Sequence, residues 1–335
     1  MRLLVTIDGG TTNTRAALWN ESGACLGVER EEIGVRDTAV DGGNARLKTG
    51  VRACLNRLLA TGAASPGQVA AVYASGMITS NVGLVEVPHL AAPAAREDFL
   101  RAIHTVHLPD VFPVPFSFVP GLKNLAGDVA PADLEAMDIM RGEETEALAL
   151  QEWFPAGREH LFVLPGSHSK FVAVDREGRL TGCLTSLAGE LLAILTERSI
   201  LADAVRRRFV SEGEYDRDRV LAGGRTARKT SLSRAAFSTR IMSLFVADSP
   251  VACANFLLGA VLQGDVDAAK GSAALSLDAG ANVVVAGRQP LRRALVDIFT
   301  DDGFFRNVSG FDVPGDAPLA ARGAFGLAVQ HGAFA

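Results

Sequence analysis

"LLVTIDGGTTNTRAALWNESG", from Leu3 to Gly23, is the stretch whose reading decides the fold. Branched apolar residues up to Ile7 read as a buried strand, "TRAALWN" as a second, "ESGA" as a turn and "CLGVEREE" as a third. Between the first two strands stand Asp8, Gly9, Gly10, Thr11, Thr12 and Asn13, with Arg15 just beyond. A bend with few side chains lets consecutive backbone N–H groups point at an anion, and hydroxyls add further donors. Phosphate oxygens need many such donors, and a magnesium ion needs a nearby carboxylate, often acting through water. The bend therefore reads as half of a polyphosphate site, with Asp8 placed for a metal. A Gly-Gly hairpin capped by an aspartate would be spelled with the same letters.

A second stretch bears on these readings, although any two β-hairpins share some letters. "EHLFVLPGSHSKFVAVDREG", Glu159 to Gly178, aligns with the first when Gly178 is set over Gly23, an offset of 178 − 23 = 155 residues. Thr12 then falls on Ser167, Asn13 on His168 and Arg15 on Lys170, while Asp8 falls on Val163, so only the first copy carries the acid. A repeat at that distance points to two related domains. "PAGRE", Pro155 to Glu159, is the expected junction, giving domains 1–157 and 158–335. Two facing bends would clasp a polyphosphate, with Gly166, Ser167, His168 and Lys170 opposite the first bend. His168 and Lys170, two residues apart on a strand, are expected on one face, toward the phosphates.

The totals agree with a two-domain globular chain. At 335 residues it is long for one domain, and 48% hydrophobic with 21% charged residues suffices for sizeable cores. A net charge of -5 disfavours a general nucleic-acid or anionic-membrane binder. No apolar run reaches the roughly 18 residues of a membrane span, and the N-terminal run stops at Asp8 without a signal-peptide pattern. Cys25, Cys54, Cys183 and Cys253 lie far apart, which fits a reducing cytoplasm better than a disulfide framework. Two familiar phosphate loops are missing. "GGRTARKT", Gly223 to Thr230, has Arg228 where a P-loop needs glycine, and reads as a solvated basic loop or helix. No G-x-G-x-x-G stands between a strand and a helix.

Elsewhere, Leu47, Val51, Leu55, Leu58 and Leu59 keep helical spacing, and "QVAAVYASG" reads as a buried strand entering a loop. Prolines are dense between Pro88 and Pro131, where short strands and loops are expected. "MDIMRGEETEALALQEWF" is a strand end entering a helix with acids in its first turn, and "VVVAG" a strand ending in Gly287 before a helix. Glycine at that point lets a base or ribose approach the backbone.

Strand-"DGGTTNTR"-strand, a second phosphate-type hairpin and the late "VVVAG" unit are similar to the sugar kinase, Hsp70 and actin superfamily. More closely, the chain resembles the 2-dehydro-3-deoxygalactonokinase family. The carrying residues are "DGGTTNTRA", "SGMITSNVG" (Ser75 to Gly83) followed by "PHL", "PGL" (Pro120 to Leu122), "MRGEET" (Met140 to Thr145), "LPGSHSKFV" (Leu164 to Val172), "AGEL" (Ala188 to Leu191) and "FLLGA" (Phe256 to Ala260). They are spread in order over most of the chain; Ala202 to Arg240 matches least. Gly9 stands where some members have Trp, which bears on packing beside the loop.

The resemblance implies an α/β protein of two ribonuclease H-like (actin-like ATPase) domains around a nucleotide cleft. It further implies MgATP-dependent phosphorylation of the 6-hydroxyl of 2-keto-3-deoxygalactonate in a bacterial galactonate route. Glu143 matches the acid that related sugar kinases carry at a strand-to-helix junction, with Glu144 as the alternative base. Carboxylates in a helix's first turn are also favoured by the macrodipole alone. Arg141 would grip the substrate carboxylate with two parallel hydrogen bonds, and Ser75, Met77, Ser80 and Asn81 would line the sugar site. Glu190 is a further cleft candidate. A homodimer stays open; a kinase of another small sugar acid on the same fold is the nearer alternative, and an actin- or Hsp70-like assembly ATPase is the competing class.

Overall fold

The computed structural model describes residues 2–246 and 248–335. The opening stretch forms β1 (Leu3–Gly9), β2 (Thr14–Asn20) and β3 (Cys25–Glu31), an antiparallel meander. Two helices, α1 (Val35–Asp41) and α2 (Ala45–Thr61), lead to β4 (Val69–Gly76), which pairs parallel with β1. The proline-dense region holds β5 (Leu90–Ala91), α3 (Arg96–Ala102), β6 (His104–Val106), β7 (Phe116–Phe118) and β8 (Leu122–Lys123). β9 (Ile139–Met140) then runs into α4 (Glu143–Leu150). The first large sheet has the order β3-β2-β1-β4-β7-β6, and β5, β8 and β9 form a small sheet of their own.

The second half repeats the plan. β10 (His160–Leu164), β11 (Ser169–Val174) and β12 (Leu180–Ser186) form the second meander, followed by α5 (Ala188–Arg198). The starts of β11 and β12 lie 155 residues after those of β2 and β3, so the sequence repeat is a structural one. Helices α6 (Arg217–Lys229), α7 (Leu232–Ile241) and α8 (Pro250–Gly271) follow, then β13 (Asn282–Ala286), α9 (Leu291–Asp302), β14 (Asn307–Phe311) and α10 (Leu319–Gln330). The second sheet is ordered β12-β11-β10-β13-β14, with β13 parallel to both β10 and β14.

Alternation along each strand sends neighbouring side chains to opposite faces, and both faces of each sheet are covered. Leu3, Val5 and Ile7 pack with Leu47, Val51, Leu55 and Leu58 of α2 on the outer side of the first sheet. Leu4, Trp19 and Tyr73 face inward and share a core with Leu148 of α4, Leu327 of α10, and Phe162 and Val284 of the second sheet. The far side of the second sheet, Leu161, Val163 and Val285, packs on Leu258 and Leu262 of α8 and Leu295 of α9. The layers run helix, sheet, helix pair, sheet, helices. This is the expected pair of ribonuclease H-like units, joined by a common middle layer.

Two features bear on the expectations from sequence. A boundary at residue 157/158 puts α10 in the second domain, yet α10 packs against α4, β1 and β4 of the first. Phe325 stacks on Trp19 with ring centroids 4.8 Å apart, and His331 Nδ1 lies 2.7 Å from the Tyr73 hydroxyl. The last helix thus closes the first domain's inner face, because Trp19 and Tyr73 would otherwise lie uncovered. Second, the glycines of "GGRTARKT" are not solvated. Gly223 and Gly224 are buried in α6 against α8, and a Cβ on Gly223 would fall 1.9 Å from the Phe256 carbonyl oxygen. They are packing glycines that let two helix backbones approach. α8 is the one described helix long and apolar enough to cross a membrane, and it is mostly buried as a core helix.

Candidate active site

The first bend is shaped by backbone. Gly10 N–H donates to Asn13 O at 2.8 Å, closing the turn, while the carbonyls of Gly10 and Thr11 accept from Val35 and Arg36 at the start of α1. With the carbonyls drawn to α1, Thr11 and Thr12 stand exposed on the other side. This close seat requires Gly34, where a Cβ would lie 2.4 Å from Thr11 O. The second bend is built the same way: Ser167 O accepts from Glu190 N–H, and a Cβ on Gly189 would lie 2.1 Å from Gly166 O. Gly34 and Gly189 are themselves 155 residues apart. The repeat that exposed the hairpins thus contained these two glycines, which sequence reading passed over. Gly9 has no room for a side chain here, since a Cβ would meet that of Ile78 at 2.5 Å.

Asp8 ends its strand beside Arg15, with Oδ2 3.4 Å from Nη1. Glycines crowd it: Gly76, at φ +87°, would place a Cβ 3.0 Å from Asp8 Oδ1, and Gly142, at φ +112°, would place one at 3.8 Å. Both need a conformation that side chains disfavour, and together they bring β4 and the start of α4 against this carboxylate. Burial raises the Asp8 pKa, against the opposing pull of Arg15.

A cavity of about 850 Å³ lies between the two domains. Arg15, Glu143 and Glu146 line it from the first domain, and Gly166, Ser167, His168, Lys170, Gly189 and Gly287 from the second. Of the first hairpin only Arg15 lines this space. Gly287, at φ +147°, lies against Pro165, where a Cβ would come within 2.9 Å. The Glu143 Oε2 is buried without a hydrogen-bond partner, and its pKa is raised, first by burial and also by Asp8, with Lys170 opposing. Glu146 stands three residues on, on the same helix face; burial, Glu143 and Asp8 push its pKa up to about 8. That i, i+3 spacing was the signal that would have added Glu146 to the candidates.

The remaining candidates lie as follows. Glu144 is fully buried away from the cavity, and both its oxygens accept from the Gly142 N–H at 2.8 Å. Burial and Glu143 hold its pKa up to about 8. Lys170 lines the cavity with its Nζ engaged, donating to Ile139 O at 2.6 Å and Thr185 Oγ1 at 2.5 Å. His168 does stand exposed at the bend, with Nε2 3.1 Å from Glu190 Oε2. Asn13 Oδ1 is held by the Arg30 guanidinium at 2.8 and 3.0 Å. Arg141 donates to Thr79 Oγ1 at 2.7 Å and Val87 O at 2.9 Å, so its fork is engaged by the segment that follows β4. Ser75 is buried, Ser80 donates back to Met77 O at 2.7 Å, and half-buried Met77 packs with the outer core. Asn81 lines a separate depression with Gly42, Gly43 and Asn44.

A two-domain actin-like fold with an interdomain cavity suits an ATP-dependent sugar kinase, and the family match makes it one. The profile of the 2-keto-3-deoxy-galactonokinase family matches residues 8–310, and the chain belongs to that family. Among solved structures it is similar to a Sinorhizobium meliloti protein provisionally assigned as a 2-dehydro-3-deoxygalactonokinase, at 24% identity and TM-score 0.74 over 98% of each chain. It is also similar to component A of (R)-2-hydroxyglutaryl-CoA dehydratase from Acidaminococcus fermentans, at 12% identity and TM-score 0.49, covering 97% of this chain and 96% of that one. Comparison with curated proteins found no match.

Proposed function

We propose that the protein transfers the γ-phosphoryl group of ATP to the 6-hydroxyl of 2-dehydro-3-deoxy-D-galactonate, in cytoplasmic galactonate breakdown. The observation that carries this reading is Glu143: a cavity-lining carboxylate with an unpartnered oxygen, opposite the second bend, in a chain of this family. The substrate oxygen attacks the γ-phosphorus, the bond to the β-phosphate oxygen breaks, and the hydroxyl proton passes to Glu143. Such transfer depends on positioning and charge neutralisation more than on covalent help from the protein. Gly10, Thr11 and Thr12, whose hairpin reaches the cavity through Arg15, and Gly166, Ser167 and His168, which line it, hold the β- and γ-phosphates, and Gly287 faces the nucleoside.

Asp8 fits a magnesium ion, being a hard oxygen donor touched only by one long Arg15 contact. No group of three ligating side chains occurs among the described residues, which suits an ion held largely by phosphates and water. When bound, the ion neutralises phosphate charge. Arg15 steadies the free carboxylate.

The test is a coupled ADP-release assay with 2-keto-3-deoxy-D-galactonate, its gluconate epimer and a panel of aldonates. Turnover confined to other sugar acids removes the substrate assignment. Nucleotide-dependent sedimentation into filaments would favour the assembly class instead.

A further inference from the structure

Three stretches with family resemblance, "PHL", "PGL" and "MRG", have no place in the cavity described above. They meet in the small sheet. Leu90 N–H donates to Gly121 O at 2.9 Å, Leu122 pairs with Met140, and Lys123 pairs with Ile139. Leu122 and Met140 are buried in the middle core, with Leu90 packed against them. Strand alternation therefore turns Gly121 and Lys123 to the opposite face. There a Cβ on Gly121 would fall 2.7 Å from Arg141 Cγ and 2.8 Å from His89 Cδ2, so Arg141 and the imidazole close over a bare glycine.

The hydrogen bonds fix the state of this face. Arg141 is anchored by Thr79 and Val87, and its Nη2 lies 3.3 Å from His89 Nδ1. A guanidinium only donates, so Nδ1 accepts and the ring proton sits on Nε2. That Nε2–H is buried without an acceptor. Burial, with Arg141, Lys123 and Lys170 adding to it, lowers the His89 pKa to about 4, which keeps the ring neutral. Lys123 is part-exposed and enters no ion pair among the described residues. An N–H lacking an acceptor, set among cations, is a site for an anionic oxygen.

We propose that Lys123 and His89, braced by Arg141, form the subsite for the carboxylate of the sugar acid. This rests on the sugar-acid reading above and moves carboxylate recognition from Arg141 itself to its two neighbours. Lys123 supplies the accessible charge, and His89 adds a directed hydrogen bond once the carboxylate reaches its Nε2–H. Neutral sugars lack the group this face would bind, so it also selects acids over them.

The experiment is calorimetric titration of the whole protein, loaded with a non-hydrolysable ATP analogue, with 2-keto-3-deoxy-D-galactonate. Lys123→Met and His89→Leu should each weaken binding of the acid roughly 10- to 100-fold, the loss expected of one charge-assisted contact. Affinity for the ATP analogue should stay within about twofold, and His89→Gln, which keeps a donor, should recover most of the loss. The wild-type Kd should be flat between about pH 5.5 and 8, since the ring does not titrate there. Wild-type binding with both variants unaffected would overturn the subsite while leaving the substrate reading standing. A wild type that does not bind the acid would overturn the substrate reading, and this subsite with it.

Discussion

Replacing Gly189 by alanine would put a methyl carbon 2.1 Å from Gly166 O and 2.8 Å from Ser167 Cα, both backbone atoms of the second bend. A carbon-to-oxygen contact settles at roughly 3.2 Å, about the short edge of ordinary packing distances, so the bend or the start of α5 must retreat by about 1 Å. Overpacking of this kind costs about 1–3 kcal/mol in stability. The larger effect is on catalysis, where a displacement of about 1 Å lowers turnover efficiency by roughly 100-fold. Gly34→Ala strains the first bend similarly, its Cβ lying 2.4 Å from Thr11 O. Gly264→Ala in α8 is the control, because nothing lies within 4 Å of its Cβ and alanine favours a helix by about 1 kcal/mol. Steady-state kinetics with ATP varied, beside a thermal melt, reads all three. Gly189→Ala with kcat/KM for ATP within about twofold of wild type would refute the claim that α5 sets the geometry of the bend.

Other outcomes follow from the same coordinates. Glu143→Gln should lower kcat by about 10²- to 10⁴-fold, the range of a lost general base, with ATP affinity little changed, whereas Glu144→Gln should stay within about twofold. If Glu144→Gln is the slow variant, the base has been misassigned. Because burial raises the Glu143 pKa, kcat should fall with acidification at a pH above the ordinary glutamate value of 4.5, and that limb should vanish in Glu143→Gln. Asp8→Asn should abolish turnover without altering the melt; full activity there would remove its metal role. Glu144 and Glu146, raised to about 8, hold protons in the folded state that the unfolded chain has released above about 4.5. Raising the pH from 4.5 toward 8 therefore favours unfolding, so the melt should be lower at pH 9 than at pH 6, with a smaller difference in Glu144→Gln. Leu327→Ala in α10 removes a fully buried side chain and should cost about 2–5 kcal/mol, read in urea through Trp19 fluorescence. An unmoved Trp19 transition would contradict the seating of α10.

The architecture was readable because hairpin strands announce themselves through alternation and a repeated turn, and the 155-residue offset survives in both. Asp8 and Glu143 stood out as candidates because each carboxylate sits near glycine at a strand end or helix start, although the helix dipole alone also favours an acid at the latter. What could not be read was competition for a side chain. Lys170 occupies the position of Arg15 in the repeat, yet Ile139 O and Thr185 claim its ammonium. Arg141 has the right chemistry for a carboxylate, but Thr79 and Val87 lie nearer. Glu144 neighbours Glu143 in sequence and, being about 100° round the helix, turns into the core. The return of α10 to the first sheet was not legible, because its partners Trp19 and Tyr73 lie more than 250 residues away in sequence.

That late cover has a consequence for biosynthesis. While the chain is being made, Trp19 and Tyr73 leave the ribosome more than 250 residues before Phe325 and His331 follow them. Throughout that interval the amino-terminal half carries an unsealed aromatic face, so it matures only when translation has passed the carboxy-terminal helix. Premature stops upstream of Leu319 should yield sticky, chaperone-dependent fragments rather than an autonomous first domain.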